Sequence, residues 1–173
     1  MASPTVASLF AQRVVVGVGD MGVSNNAQIT LSTYALGSCV AIAAYDPVVK
    51  AGGLLHIMLP DSTISPAKAA AQPAMFADTG LPMLFRSLTG LRVDHRRLRL
   101  FVTGGAGVLC NSDMFKIGER NIQATREYLS SNGYSVRHSF VGGTVNRTVH
   151  LELGSGAVTL KMPSAVENYS LAA

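Results

Sequence analysis

Cys39 and His56 are the two residues of this chain whose types and setting suit covalent chemistry. Each stands in a short apolar run, CVAIAAY over 39–45 and GLLHIML over 53–59, and Asp46-Pro47 between the runs is turn chemistry. The two runs therefore predict a β-hairpin. With a loop over 46–49, Tyr45 pairs with Lys50 and Cys39 falls directly opposite His56. Opposed residues of an antiparallel pair have Cβ atoms about 4.5–5.5 Å apart, within reach of a thiol–imidazole contact. A slip of one residue would send the two side chains to opposite faces of the sheet.

A thiol beside an imidazole is chemically special because the thiolate is the attacking species, and a neighbouring base supplies it near neutral pH. The imidazole then carries the proton to the leaving group. The Gly37-Ser38 turn just before Cys39 places backbone N–H groups at a bend, where an oxyanion intermediate needs donors. A plainer reading stands beside this one: a cysteine in an apolar strand is often a small core residue, and a single histidine a satisfied structural one. Spacing alone does not decide between them.

Other chemistries find less support. His56, His95, His138 and His150 are dispersed, without CxxC, HxH or HExxH spacing, so neither a metal nor another cofactor is expected. Gly17-Val18-Gly19 lacks the third glycine of a dinucleotide loop. A net charge of +4 favours acidic partners, but the densest basic stretch, 95–99, holds no aromatic residue on which a base could stack. It reads as a solvated edge, and no nucleic-acid partner is expected. The start of the chain lacks a basic segment followed by an apolar one, and no apolar run is long enough to span a bilayer. A cytoplasmic protein with reduced Cys39 and Cys110 and no membrane insertion is the expectation.

At 173 residues with 48% hydrophobic content, the chain suits one domain with a true core. We expect a flexible N-terminus over 1–12, a single domain over 13–163 and a C-terminal tail over 164–173. Strands are expected over 14–18, 39–45, 53–59, 98–103, 135–141, 147–153 and 157–162. A loop with one helical turn is expected over 60–73. A helix is expected to begin near Leu81 with Pro82 in its first turn, and a second to run over 117–131, closed by Asn132-Gly133. Strands in hairpins with two or three helices packed on them define an α/β (α+β) sandwich of mixed and antiparallel sheets.

Leu36-Gly37-Ser38-Cys39-Val40, Tyr45-Asp46-Pro47, Gly52-Gly53 and Leu55-His56-Ile57-Met58-Leu59-Pro60 resemble the signature of the CheD family of chemoreceptor glutamine deamidases. Thr103-Gly104-Gly105-Ala106, Ile117-Gly118-Glu119-Arg120-Asn121, Val141-Gly142-Gly143 and Arg147-Thr148-Val149 occur after them in the same order. The resemblance implies deamidation of glutamines, with methylester hydrolysis in some members, on the cytoplasmic helical domain of chemotaxis receptors. It implies Cys39 as nucleophile, His56 as base and Thr33 as the group orienting the imidazole. It also implies a fold similar to the catalytic domain of cytotoxic necrotizing factor toxins, and a CheC-type phosphatase as partner. The chain departs from the family's pattern at Gly107-Val108-Leu109-Cys110. Two alternatives are a non-catalytic regulatory module that binds CheC or receptor, and a thiol redox sensor built on Cys39.

Overall fold

A computed structural model describes residues 12–107 and 116–173. The expectation for residues 1–11 and the departure at 108–110 lie outside the described residues. The chain forms strands β1 (Gln12–Val15), β2 (Met21–Ser24), β3 (Ile29–Leu36), β4 (Val40–Asp46) and β5 (Ala51–Ile57). Helices α1 (Pro66–Ala71) and α2 (Ala77–Thr89), β6 (Arg99–Gly104) and α3 (Ile117–Ser131) come next. The chain ends with β7 (Val136–Val141), β8 (Arg147–Glu152), β9 (Ala157–Met162) and β10 (Ala165–Ser170).

Two five-stranded sheets stack face to face, one ordered β1-β3-β8-β9-β10 and the other β2-β5-β4-β6-β7. Both are mixed: β1 runs parallel to β3 and β6 parallel to β7, and the remaining pairs are antiparallel. The parallel β6–β7 pair requires a crossover, and α3 provides it. The α+β sandwich expected from the sequence is thus the fold observed.

The second sheet is buried on both faces, which explains why β4 and β5 read as unbroken apolar runs. Ala41, Ala43, Tyr45 and Leu54 point between the sheets, against Leu31, Leu36, Val149 and Leu160. Val40, Ile42, Leu55 and Ile57 point the other way, onto Leu81, Leu84 and Leu88 of α2 and Leu129 of α3. Each fully buried leucine or isoleucine contributes about 1.5–3 kcal/mol relative to exposure. These two cores hold β4 and β5 rigidly from both sides.

Three local readings need correction. The first is register: the hairpin pairs Asp46 with Ala51 and Ala41 with His56, so Val40 faces Ile57 and Cys39 precedes the paired region. The turn lies over 47–50, and Lys50 takes a left-handed φ of 51°. Asp46 is drawn into the strand because its buried carboxylate accepts from Val48 N at 2.9 Å, Asp94 N at 3.1 Å and Arg97 Nη2 at 2.8 Å. Those bonds hold its pKa low despite a burial that works the other way. The stretch 95–99 is therefore partly structural, with Arg97 bound to the hairpin and His95 bonded to Thr89 and Tyr134.

The second correction is α2, which begins at Ala77 and holds Pro82 in its interior. Phe76 is extended, and Asp78 in the first turn accepts from both Ser62 N and Ser62 Oγ, a start signal made by tertiary contact. The third is the segment read as a tail: Ala165–Ser170 pairs along its whole length with β9.

Candidate active site

The site lies where β3 leaves the first sheet and the chain crosses into β4. Between Thr33 and Leu36 the pairing of β3 with β8 is irregular, and Ala35 takes a φ of 54°. Such a bulge bends the strand and redirects the residues beyond it. The chain then turns through Gly37 and Ser38, and Cys39 emerges half-buried just before β4 begins.

Three consecutive carbonyls of that turn are held from behind. Gly37 O accepts from Ala106 N at 2.8 Å, Ser38 O from Asn121 Nδ2 at 2.9 Å, and Cys39 O from Gly105 N at 2.7 Å. The close approach demands glycine: at Gly104, with φ 109°, a Cβ would stand 2.2 Å from Cys39 O. The N–H groups of Ser38 and Cys39 have no acceptor among the described turn and loop hydrogen bonds.

His56 lies on β5 two residues along from the position expected of it. A two-residue offset preserves the face, since side chains alternate with period two. Its ring therefore points between the sheets, as Ala41 does, on the side against which Cys39 packs. The imidazole is buried, and its Nδ1 lies 2.7 Å from Thr33 Oγ1. The same hydroxyl donates to Val16 O, also at 2.7 Å. A carbonyl can only accept, so the hydroxyl's one proton goes to Val16, and Nδ1–H must donate to Thr33. The tautomer is then fixed: Nε2 carries the lone pair.

That Nε2 atom is buried and without a partner among the described residues. Cys39 Sγ is thus not hydrogen-bonded to it, a looseness common where such pairs tighten only around a substrate. Burial holds His56 at about 4, well below the usual range, so the ring is neutral near pH 7. Burial also pushes the Cys39 thiol up, while its own backbone N–H works the other way. The resting pair is therefore a neutral thiol and a neutral base.

Cys39 opens onto a groove of about 480 Å³ lined also by Val18, Ala35, Gly37, Ser38, Met58, Leu59, Ala106, Ile117 and Asn146. Its walls are mainly apolar, and His56 sits beneath the surface. Among the described residues no cluster of three His, Cys, Asp or Glu could hold a metal. Of the five residues singled out from the sequence, Gly37, Ser38 and Cys39 line the groove, while Thr33 and His56 are bonded to each other in the core between the sheets. Sequence reasoning missed the Val16 carbonyl and gave no task to Asn121. The only signal for Asn121 was its place in the Ile117–Asn121 segment.

This is a two-sheet sandwich with a helical layer, carrying a thiol in a groove and a buried, oriented imidazole on the strand next to β4. The chain belongs to the CheD family: the family model described as CheD chemotactic sensory transduction matches residues 58–162. A probable chemoreceptor glutamine deamidase CheD 1 of Syntrophus aciditrophicus is 45% identical over 148 residues, 86% of this chain and 92% of that protein. The probable chemoreceptor glutamine deamidase CheD of Solibacter usitatus is 45% identical over 150 residues, 87% of this chain and 89% of its own. That of Pyrococcus abyssi is 39% identical over 154 residues, 88% of this chain and 93% of its own. The family match begins just after His56, but alignments this long leave too few residues out to miss Cys39 and His56. No helix among the described residues is long and apolar enough to cross a membrane.

Proposed function

We propose that this chain hydrolyses the side-chain amide of glutamines on the cytoplasmic helical domain of chemotaxis receptors, with Cys39 as nucleophile and His56 as base. The observation that carries the mechanism is the order of hydrogen bonds His56 Nδ1–H to Thr33 Oγ1 and Thr33 O–H to Val16 O, which turns the Nε2 lone pair into a proton acceptor. The names of the relatives support the substrate class.

Cys39 Sγ gives its proton to His56 Nε2 as sulfur attacks the carboxamide carbon. The oxyanion that forms takes backbone N–H donors of the Gly37–Ser38 turn region. As the tetrahedral intermediate collapses, the C–N bond breaks and His56 returns the proton to nitrogen, so ammonia leaves and a thioester remains. His56 then deprotonates a water that attacks the thioester, the C–S bond breaks, and the product is glutamate with the thiol restored. A methylester would pass through the same thioester with methanol leaving.

The groove is open enough for a side chain projecting from a helix, and the +4 charge suits an acidic receptor surface. The family resemblance extends the proposal to a cytoplasmic setting and a CheC-type phosphatase as partner. The test is incubation with a cognate receptor cytoplasmic fragment, and then mass spectrometry. Deamidation raises a glutamine by about 1 Da, and Cys39→Ala must abolish it while circular dichroism stays that of the parent. Unmodified receptor, or full activity in Cys39→Ala, ends the proposal. Unmodified receptor alongside intact binding would favour the regulatory-module alternative.

A further inference from the structure

Asn121 is fully buried on α3 and is not among the residues that line the groove. Its amide nitrogen donates twice, to Ser38 O at 2.9 Å and to Met58 O at 3.0 Å. Ser38 O belongs to the peptide that bears the Cys39 N–H, and Met58 lies two residues beyond His56 on the same segment. One side chain therefore joins the turn carrying the thiol to the strand carrying the base.

The Ser38–Cys39 peptide is trans, and in a trans peptide the C=O and N–H point in opposite directions. Holding Ser38 O toward α3 therefore aims the Cys39 N–H away from α3. That N–H has no acceptor among the described turn and loop hydrogen bonds. A donor beside the attacking sulfur is where the oxygen of a tetrahedral intermediate comes to rest. A hydrogen bond accepted at Ser38 O also polarises the peptide and strengthens the N–H at its other end.

We infer that the Cys39 N–H is an oxyanion donor and that Asn121 is the positioning residue that locks the Ser38–Cys39 peptide plane for it. The inference rests on the thioester reading above and adds a donor and its lock to the turn. Asn121 touches no reacting atom. Its effect is confined to steps that build negative charge on oxygen.

That confinement provides the test. Deamidation of a receptor fragment passes through an oxyanion, whereas alkylation of Cys39 by iodoacetamide at pH 8 does not. Asn121→Ala and the near-isosteric Asn121→Asp should lower kcat by roughly 10²-fold, the usual effect of losing one such donor, with KM and the alkylation rate little changed. Unchanged kcat, or equal losses in deamidation and alkylation, overturns the inference; the second result would mark Asn121 as merely structural.

A glutamine aldehyde, which traps a cysteine as a hemithioacetal, provides a readout independent of receptor. In the wild-type chain its adduct should move the Cys39 amide proton downfield by NMR, and an unmoved amide overturns the inference even if neither variant folds. If the adduct forms and shifts that amide while receptor stays unmodified, the donor stands and the receptor-deamidase reading falls. If no adduct forms and no deamidation occurs, both fall.

Discussion

Thr33 Oγ1 stands 2.7 Å from His56 Nδ1, and the bond crosses the space between the two sheets. Thr33 belongs to β3 of one sheet and His56 to β5 of the other, so the orientation of the base depends on how the sheets are stacked. A hydroxyl carries no charge. It fixes the tautomer without stabilising an imidazolium as a carboxylate would.

Thr33→Val keeps the shape and removes the hydroxyl. It leaves Val16 O and His56 Nδ1–H unpaired in the core, at a cost of about 1–3 kcal/mol each. We expect a lower melting temperature and a fall in kcat of roughly 10²-fold, because the ring loses its fixed tautomer. Thr33→Ser keeps the hydroxyl and should stay close to the parent. Steady-state kinetics on the receptor fragment would decide, and a fully active Thr33→Val would remove Thr33 from the mechanism.

The pH dependence of activity derives from a neutral resting pair. His56 accepts the thiol proton only while Nε2 is free, so kcat/KM should hold from neutral pH down to about 5 and fall toward the His56 value of about 4. Cys39, pushed up by burial, should show no fast alkylation plateau at pH 6–7. An acid limb at the ordinary histidine value, or rapid alkylation at pH 6, would instead indicate a preformed thiolate–imidazolium pair.

Stability should respond to the same residue. The folded state holds His56 at about 4 against an unfolded value of 6.5, so between those values the unfolded chain binds more protons. Stability gained from burying the neutral ring is therefore full above about pH 6.5 and is lost as pH falls through about 4. The melting temperature of the parent should drop more steeply across that window than that of His56→Gln. Parallel slopes would show that acid loss has another origin.

Gly104→Ala tests the backing of the nucleophile turn. A methyl group there would meet Cys39 O at 2.2 Å on a backbone with φ 109°, and the obstacle is main chain that cannot swing aside. We expect a loss of several kcal/mol, about the scale of strain plus a broken backbone bond, or a displaced Cys39. Denaturant melts and activity measured together would show this, and a stable, active variant would mean that the turn is softer than the packing indicates.

The sequence by itself determined much of this. Apolar runs over 39–45 and 53–59 with Asp46-Pro47 between them specify a hairpin, and period-two alternation keeps Cys39 and His56 on one face whether the register is offset by two residues or not. The helix over Ile117–Ser131 and the strand over Ala157–Met162 were legible because periodic apolar positions and Asn-Gly or glycine punctuation are local signals.

Tertiary structure decided the rest. The register moved because Asp46 is held by Arg97 and the Asp94 N–H, partners about fifty residues away that no hairpin rule contains. α2 began early because Ser62 donates to Asp78, and Ala165–Ser170 became a strand because β9 offered it an open edge. The tautomer of His56 needs Val16, Thr33 and His56 from three separate strands or loops, and the set of the Cys39 peptide needs Asn121 from α3. Hydrogen-bond direction is a property of atoms brought within 3 Å of one another, and only the closed sandwich brings these together.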